Sequence, residues 1–116
     1  MRNDMSQPVD IERFEQITDG DKDILRQLSD AYLEQAEEII TSIGAAIESQ
    51  SMATVRLLSH KLRGSSATCG IVVLVEPLGN LEHLRGEDDF EGAAKLHEEI
   101  KNGLEVTRTF LKNHLA

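Results

Sequence analysis

The sequence predicts an all-α protein, an antiparallel up-down-up-down four-helix bundle with a short extra helix at its N-terminal end. Apolar residues recur at helical spacing through most of the 116 residues. The breaks between these stretches are short and polar, which makes consecutive helices antiparallel neighbours. Aromatic residues are few and tryptophan is absent, so the composition favours helix over sheet. We expect a flexible tail over residues 1–8 and one bundle domain over residues 9–116.

The first helix is expected to be short. Asp10 is placed to cap it, and Ile11, Phe14 and Ile17 form its apolar side. The sequence Asp19-Gly20-Asp21 then predicts a turn that also caps the next helix.

A long second helix is predicted over residues 21–48, about 40 Å in length at 1.5 Å per residue. Its apolar stripe consists of Leu25, Leu28, Tyr32, Ala36, Ile39, Ile43 and either Ala46 or Ile47. The polar sequence over residues 49–51 interrupts the pattern and marks the end of this helix.

The third helix is expected to start after Ser51 as its cap and to end near Cys69 and Gly70. At 100° per residue, His60 lies about 160° from Leu62, on the side opposite the apolar stripe. The imidazole of His60 is therefore predicted to be exposed to solvent. The inward stripe consists of Val55, Leu58, Ser59, Leu62, Ser65 and Ser66.

The β-branched run over residues 71–75 is compatible with a strand, but we interpret it as the start of a fourth helix. Leu74, Leu78 and Leu81 continue the helical spacing. A lone strand in a helical chain would also have no partner for its backbone. Pro77 conflicts with a straight helix, so we expect either a kink or a helix that begins close to it.

The fifth helix is expected to be capped by Asp88 or Asp89 after a polar break over residues 85–89. His97 falls near the inward side of this helix, which is typical of a core histidine with a hydrogen-bond partner rather than of a ligand. The acidic run 87–89 is best explained by helix-start electrostatics. The inward stripe consists of Phe90, Ala93, His97, Ile100, Leu104 and Leu111.

The surroundings of His60 indicate a site that holds an anion. No acidic residue occurs between positions 49 and 75, yet Arg56, Lys61 and Arg63 all lie there, in a chain of net charge -9. A neutral imidazole offers a nucleophilic ring nitrogen near neutral pH. An arginine beside it suits phosphate oxygens, because phosphoryl transfer mainly requires positioning and charge stabilisation. Gly64, one turn after His60, weakens the helix by about 1 kcal/mol relative to alanine, as expected where another backbone must approach.

The sequence His60-Lys61-Leu62-Arg63-Gly64-Ser65-Ser66, followed by Gly70, resembles the signature of histidine-containing phosphotransfer (HPt) domains. In that family a basic residue follows the histidine by three positions and glycine by four. The resemblance covers most of the chain, from about Val9 to Leu115, and includes Leu74, Leu78 and Leu81-Glu82 in the next helix. Arg63 stands where the family more often has lysine, which replaces a mobile point charge by a planar fork.

The resemblance implies a cytoplasmic, monomeric phosphocarrier of a multistep two-component phosphorelay. His60 would be the phosphoacceptor, Arg63 the phosphate-stabilising cation, Gly64 the close-approach position and Glu82 a group that orients the imidazole. The implied partners are response-regulator receiver domains and a sensor histidine kinase, hybrid or not. Magnesium would belong to the receiver, and no cofactor or metal is expected in this chain. The expected docking contacts are Ala53, Arg56, Leu57, Lys61 and Ala67.

Several other classes of protein fit the sequence poorly. No apolar run approaches the roughly 20 residues needed to span a bilayer, and the net negative charge disfavours nucleic-acid binding. The chain has no glycine-rich ATP loop, no Glu-x-x-His pair and no paired metal-ligand histidines, so neither autokinase activity nor a metalloenzyme is expected. Cys69 is alone and is expected to be a small buried residue. The competing interpretation is an HPt-like interaction module that docks receivers without carrying phosphate.

Overall fold

The computed structural model describes residues 7–115, and this part of the chain forms five α-helices and no strand. The helices are α1 (Ile11–Thr18), α2 (Lys22–Glu48), α3 (Met52–Cys69), α4 (Val72–Glu82) and α5 (Phe90–Leu115). The predicted all-α fold class is confirmed. The first six residues of the predicted tail lie outside the described residues.

Four of the helices form a bundle in which each helix packs against its neighbours along the chain. α2 packs on α3, α3 on α4 and α4 on α5, and contacts between α2 and α5 close the ring. The two long helices, of 27 and 26 residues, extend past the other two, and the bundle measures 44 × 26 × 19 Å. α1 lies across one end, against α2 and α3.

The caps of α1 and α2 follow the prediction closely. The Asp10 carboxylate accepts a hydrogen bond from the Arg13 backbone N–H, and that of Asp21 accepts from the backbone N–H groups at residues 23 and 24. In the turn between these helices, Asp19 and Gly20 have φ of 53° and 75°. Ile17 is 42% exposed, contrary to expectation. Thr18 takes the buried position instead, because its hydroxyl donates to a carbonyl of its own helix.

The junction between α3 and α4 is tight and is closed by the chain segment before α1. Gly70 ends α3 in the left-handed conformation, with φ of 76°. Its carbonyl accepts a hydrogen bond from the Asp10 N–H at 2.7 Å, and the Pro8 carbonyl accepts from the Val73 N–H at 3.2 Å. The Arg13 Nε donates to the Thr68 carbonyl. Because Pro8 is bound to α4 in this way, ordered packing reaches into the last position of the predicted tail.

The cap of α3 differs in detail from the prediction, whereas α4 starts within the predicted residues 71–75. Ser51 occupies the N-cap position of α3, but its hydroxyl bonds the Thr54 hydroxyl instead of a backbone N–H. α4 is a helix, as predicted, and it starts at Val72 with Pro77 inside it. Pro77 therefore neither starts the helix nor ends it, and the Val73 carbonyl lacks the amide donor that another residue at position 77 would supply.

Glycines allow α5 to approach α2 and α4. His97 donates from Nε2 to the Ile40 carbonyl at 2.8 Å, so it is a half-buried histidine with a partner, as predicted. A Cβ at Gly44 would lie 2.9 Å from the ring of His97, and one at Gly103 would lie 2.7 Å from Leu74. The start of α5 is capped by Asp89, whose carboxylate accepts from the Gly92 N–H.

We predict that Gly70→Ala destabilises the domain by about 2 kcal/mol, because a residue with a Cβ is strained at this positive φ. The added Cβ would also lie 2.9 Å from the Asp10 carbonyl oxygen. Urea unfolding followed by circular dichroism measures the effect. A variant as stable as the wild type would contradict the prediction, because it would show that the junction accommodates the new Cβ without strain.

Candidate functional site

His60 lies near the middle of α3 on the open side of the bundle. Its side chain is 65% exposed, while the neighbouring Ser59 and Leu62 are fully buried. A polar contact on its buried side helps to hold the helix in this rotation, because the Ser66 hydroxyl lies 2.6 Å from that of Tyr32 on α2. The buried Ser59 hydroxyl donates within α3, to the Val55 carbonyl. The prediction of an outward imidazole is therefore confirmed.

Glu82, the last residue of α4, joins the two functional side chains of α3. His60 donates from Nδ1 to Oε2 of Glu82 at 2.7 Å, and Arg63 donates from Nε to Oε1 at 2.9 Å. Each carboxylate oxygen thus serves one donor. The stem of Arg63 lies over Gly79, where an added Cβ would be 3.4 Å from Cδ of the arginine. Of the four residues named from the sequence for this site, Glu82 therefore contacts two, His60 and Arg63.

The electrostatics of Glu82 determine which nitrogen of His60 carries the proton. Partial burial raises the pKa of Glu82, but the hydrogen bonds from His60 and Arg63 and their positive charges lower it by more. The net result is a pKa below the usual carboxyl range, so Glu82 is ionised at neutral pH. An ionised carboxylate only accepts hydrogen bonds, so Nδ1 of His60 holds the proton. In the neutral imidazole Nε2 then carries a free lone pair.

Two buried groups, Tyr32 beneath α3 and Cys69 at its C-terminal end, have pKa values that keep them protonated. Burial raises the pKa of Tyr32 well above its ordinary value, so its hydroxyl remains a hydrogen-bonding group facing Ser66. Burial likewise raises the pKa of Cys69. The thiol is therefore a small buried group rather than a reactive thiolate, as expected from the sequence.

Arg56 has a different environment from the free cation that the sequence suggests. Its Nη1 donates to Glu87 at 2.7 Å and its Nη2 to the Leu84 carbonyl at 2.6 Å. The side chain is only 28% exposed. Both partners lie in the connection between α4 and α5. The acidic run 87–89 therefore does more than start α5, because Glu87 pairs with a cation on α3.

The other expected docking residues form an exposed surface along α3. Ala53, Lys61 and Ala67 are exposed, and Leu57 is 68% exposed, which is unusual for a leucine. A Cβ added at Gly64 would meet nothing within 4 Å. Nothing within the described part of the fold therefore requires glycine there. We refer to Ala53, Leu57, His60, Lys61, Gly64 and Ala67 as the α3 face.

His83 is a neighbour of the site that sequence reasoning did not connect with it. Its Nδ1 donates to the Gly79 carbonyl at 2.9 Å, and its Nε2 lies 3.9 Å from Oε2 of Glu82. Its position directly after Glu82 was a signal that it would be near His60, once α4 had been paired with α3.

The described part of the chain shows neither a metal-binding cluster nor a membrane-spanning helix. Residues 7–115 contain no group of three or more His, Cys, Asp or Glu side chains arranged to hold a metal ion. None of the helices in that range is long and apolar enough to cross a lipid bilayer.

Together, the fold and the site define a class of protein: a small helical bundle that presents one exposed histidine, oriented by a carboxylate from the next helix. The family model of the Hpt domain matches residues 27–110. The chain belongs to the Hpt domain family.

The chain is similar in sequence to two phosphorelay proteins and in fold to one solved structure. It is 26% identical to the phosphorelay intermediate protein rdeA of Dictyostelium discoideum, over 97% of this chain and 48% of that protein. It is 31% identical to multistep phosphorelay regulator 1 of Schizosaccharomyces pombe, over 95% of this chain and 41% of that protein. The chain thus spans less than half the length of these relatives. The crystal structure of histidine-containing phosphotransfer protein B from Pseudomonas aeruginosa PAO1 has the same fold, with a TM-score of 0.84 at 21% identity, covering 93% of this chain and 94% of that one.

We predict that the carboxylate of Glu82 stabilises the fold in a pH-dependent way. Its pKa is lowered in the folded state, so its contribution is complete above the unfolded-state value of about 4.3 and is lost as the pH falls through the folded value. Between pH 5 and pH 2, the stability difference between the wild type and Glu82→Gln should therefore shrink. Urea unfolding of both proteins across this range measures it. A difference that stays constant down to pH 2 would contradict the prediction.

Proposed function

We propose that this domain is a histidine phosphotransfer intermediate of a multistep phosphorelay. It would accept a phosphoryl group on His60 from the aspartate of one receiver domain and pass it to the aspartate of another. The observation that carries the proposal is the bond from Nδ1 of His60 to Glu82, because it leaves Nε2 deprotonated on an exposed side chain. Membership of the Hpt family and the names of the two phosphorelay relatives support it.

The proposed chemical step needs only a nucleophile and charge stabilisation. The lone pair of Nε2 attacks the phosphorus of the receiver's aspartyl phosphate, an N–P bond forms, and the P–O bond to the aspartate breaks. The aspartate leaves as a carboxylate, and the Nδ1 proton stays on the imidazole. The ring thereby gains positive charge, which the carboxylate 2.7 Å from Nδ1 stabilises. The same charge makes the imidazole a good leaving group in the reverse direction.

Arg63 is proposed to stabilise the phosphoryl oxygens while it holds Glu82. Its Nε is bonded to Glu82, and within residues 7–115 its two terminal nitrogens have no hydrogen-bond partner. A guanidinium has donors on more than one edge, so the same side chain can bind a carboxylate and a phosphoryl group. A lysine has a single ammonium group, which would bind either Glu82 or the phosphoryl group.

The proposed partners are receiver domains, which would dock on the α3 face. The small residues of this face allow the receiver backbone to come close, and the exposed Leu57 offers an apolar contact. Lys61 provides a positive charge beside His60. Magnesium would be bound by the receiver, and ATP would be bound by a sensor histidine kinase. This domain would therefore carry phosphate without autokinase activity. It is proposed to act as a cytoplasmic monomer.

We predict that His60→Gln abolishes phosphoryl uptake from a phosphorylated receiver, because glutamine has no nucleophilic ring nitrogen. Transfer of the radiolabelled phosphoryl group, followed on gels, measures this. His83→Gln is the matched control, since His83 also lies close to Glu82, and it should still accept the label. Uptake by His60→Gln would refute the site. A wild-type domain that binds the receiver but takes no label would instead be a docking module.

We predict that Gly64→Ala raises stability and slows transfer. The new methyl group meets nothing in the described fold, so the gain in helix propensity, up to about 1 kcal/mol, should be realised. The same methyl group would lie between α3 and the receiver, and transfer from it should slow by about tenfold or more. Thermal unfolding and the transfer rate are measured on the same sample. A more stable variant with an unchanged rate would show that the receiver does not approach Gly64.

A further inference from the structure

The connection between α4 and α5, residues 83–89, is fastened to the same helix that carries His60. The Arg56 guanidinium makes this attachment through two hydrogen bonds. One terminal nitrogen donates to the Leu84 carbonyl at 2.6 Å, and the other donates to Glu87 at 2.7 Å. Arg56 lies one helical turn before His60 and therefore on the same side of α3. The two bonds hold Leu84 and Glu87, the second and fifth residues of the connection, against that turn.

The connection also begins beside the site itself. It follows Glu82, whose Oε2 accepts from His60 at 2.7 Å. Since each residue advances the chain by at most about 3.6 Å, the Cα of Leu84 lies within about 7 Å of that of Glu82. The side chains of Arg85, Glu87 and Asp88 in this connection are exposed.

The size of a transient protein interface places this connection within reach of a docked partner. Even a weak complex that buries about 1,200 Å² in total covers about 600 Å² on each protein, a disc of roughly 14 Å radius. A receiver must bring its aspartyl phosphate onto Nε2 of His60, so such a disc is centred near His60. The start of the connection lies inside it, continuous with the α3 face.

We propose that the α4–α5 connection is part of the surface that binds the receiver domain, and that Arg56 is the positioning residue that holds it there. This inference rests on the proposed function. Arg56 acts through the backbone of the connection, because its charge is already neutralised by Glu87 and its side chain is mostly covered. The partner would be a receiver domain whose surface beside its acidic pocket matches the exposed charges of Arg85 and Asp88.

The two roles open to Arg56 predict different outcomes for conservative variants. Arg56→Lys keeps the charge, but one ammonium group cannot bind the Leu84 carbonyl and Glu87 in the geometry of the fork. A positioning role predicts that Arg56→Lys and Arg56→Gln both raise the KM for a phosphorylated receiver, by about fivefold, with a smaller change in kcat. If Arg56 instead only attracts the receiver through its positive charge, Arg56→Lys should have the wild-type KM, and only Arg56→Gln should have a raised KM.

The control is a second arginine in an exposed ion pair far from the site. Arg108 on α5 pairs with Glu37 on α2 at 3.2 Å, and Arg108→Lys and Arg108→Gln should leave the KM unchanged. Uptake from phosphoramidate, a donor too small to touch the connection, is measured for every variant as the reference. The effect of Arg56→Lys should be larger with the receiver than with phosphoramidate.

Each outcome decides one question. If Arg56→Lys has the wild-type KM, the inference is overturned and Arg56 acts by charge or not at all. If the Arg56 and Arg108 variants lose activity equally, the effect is a general loss of stability and the inference is also overturned. If the wild-type domain takes phosphate from neither donor, the proposed function itself has failed.

Discussion

A single carboxylate organises the site, because both functional side chains of α3 depend on it. Glu82 offers one oxygen to His60 and the other to Arg63, so neither donor competes with the other. A glutamine in its place would have only one oxygen acceptor for two donors. The ionised carboxylate fixes the tautomer of the imidazole, with the proton on Nδ1. The same group holds the Arg63 guanidinium beside the His60 side chain.

The remainder of the fold keeps α3 and α4 close enough for that sharing. The short junction at Gly70 requires a left-handed residue with no side chain, since a Cβ would meet the Asp10 carbonyl at 2.9 Å. The segment before α1 then binds both helix ends, through hydrogen bonds from Asp10 and to Pro8. The buried hydrogen bond between Tyr32 of α2 and Ser66 of α3 helps to fix the rotation of α3 about its axis, and therefore the direction of His60. The long helices α2 and α5 supply the core on which this arrangement rests.

Sequence reasoning predicted the elements and the site residues because each depends on local pattern. Helical spacing placed His60 outward and His97 inward, and cap residues set the starts of α1 and α2. Where it failed, distant groups decided the result. Arg56 was expected to be free because its neighbours in sequence carry no negative charge, but Glu87 reaches it from 31 positions away. His83 was not connected with the site, although Glu82 directly before it was expected to contact His60. Ile17 is an exception to the rule of distant groups, because the buried Thr18 beside it bonds a carbonyl only three positions away.

The same distant groups change how the charge of the α3 face should be understood. Along the sequence, the region around His60 contains no acidic residue and three basic ones. In space, Glu82 and Glu87 reach α3 from the next helix and the connection after it and neutralise Arg63 and Arg56. Lys61 has no ion pair among residues 7–115. A partner therefore meets one free positive charge, small side chains and an exposed leucine, so shape should contribute more than long-range attraction to its recognition. The two paired cations act at short range instead, Arg63 on Glu82 and Arg56 on the Leu84 carbonyl and Glu87.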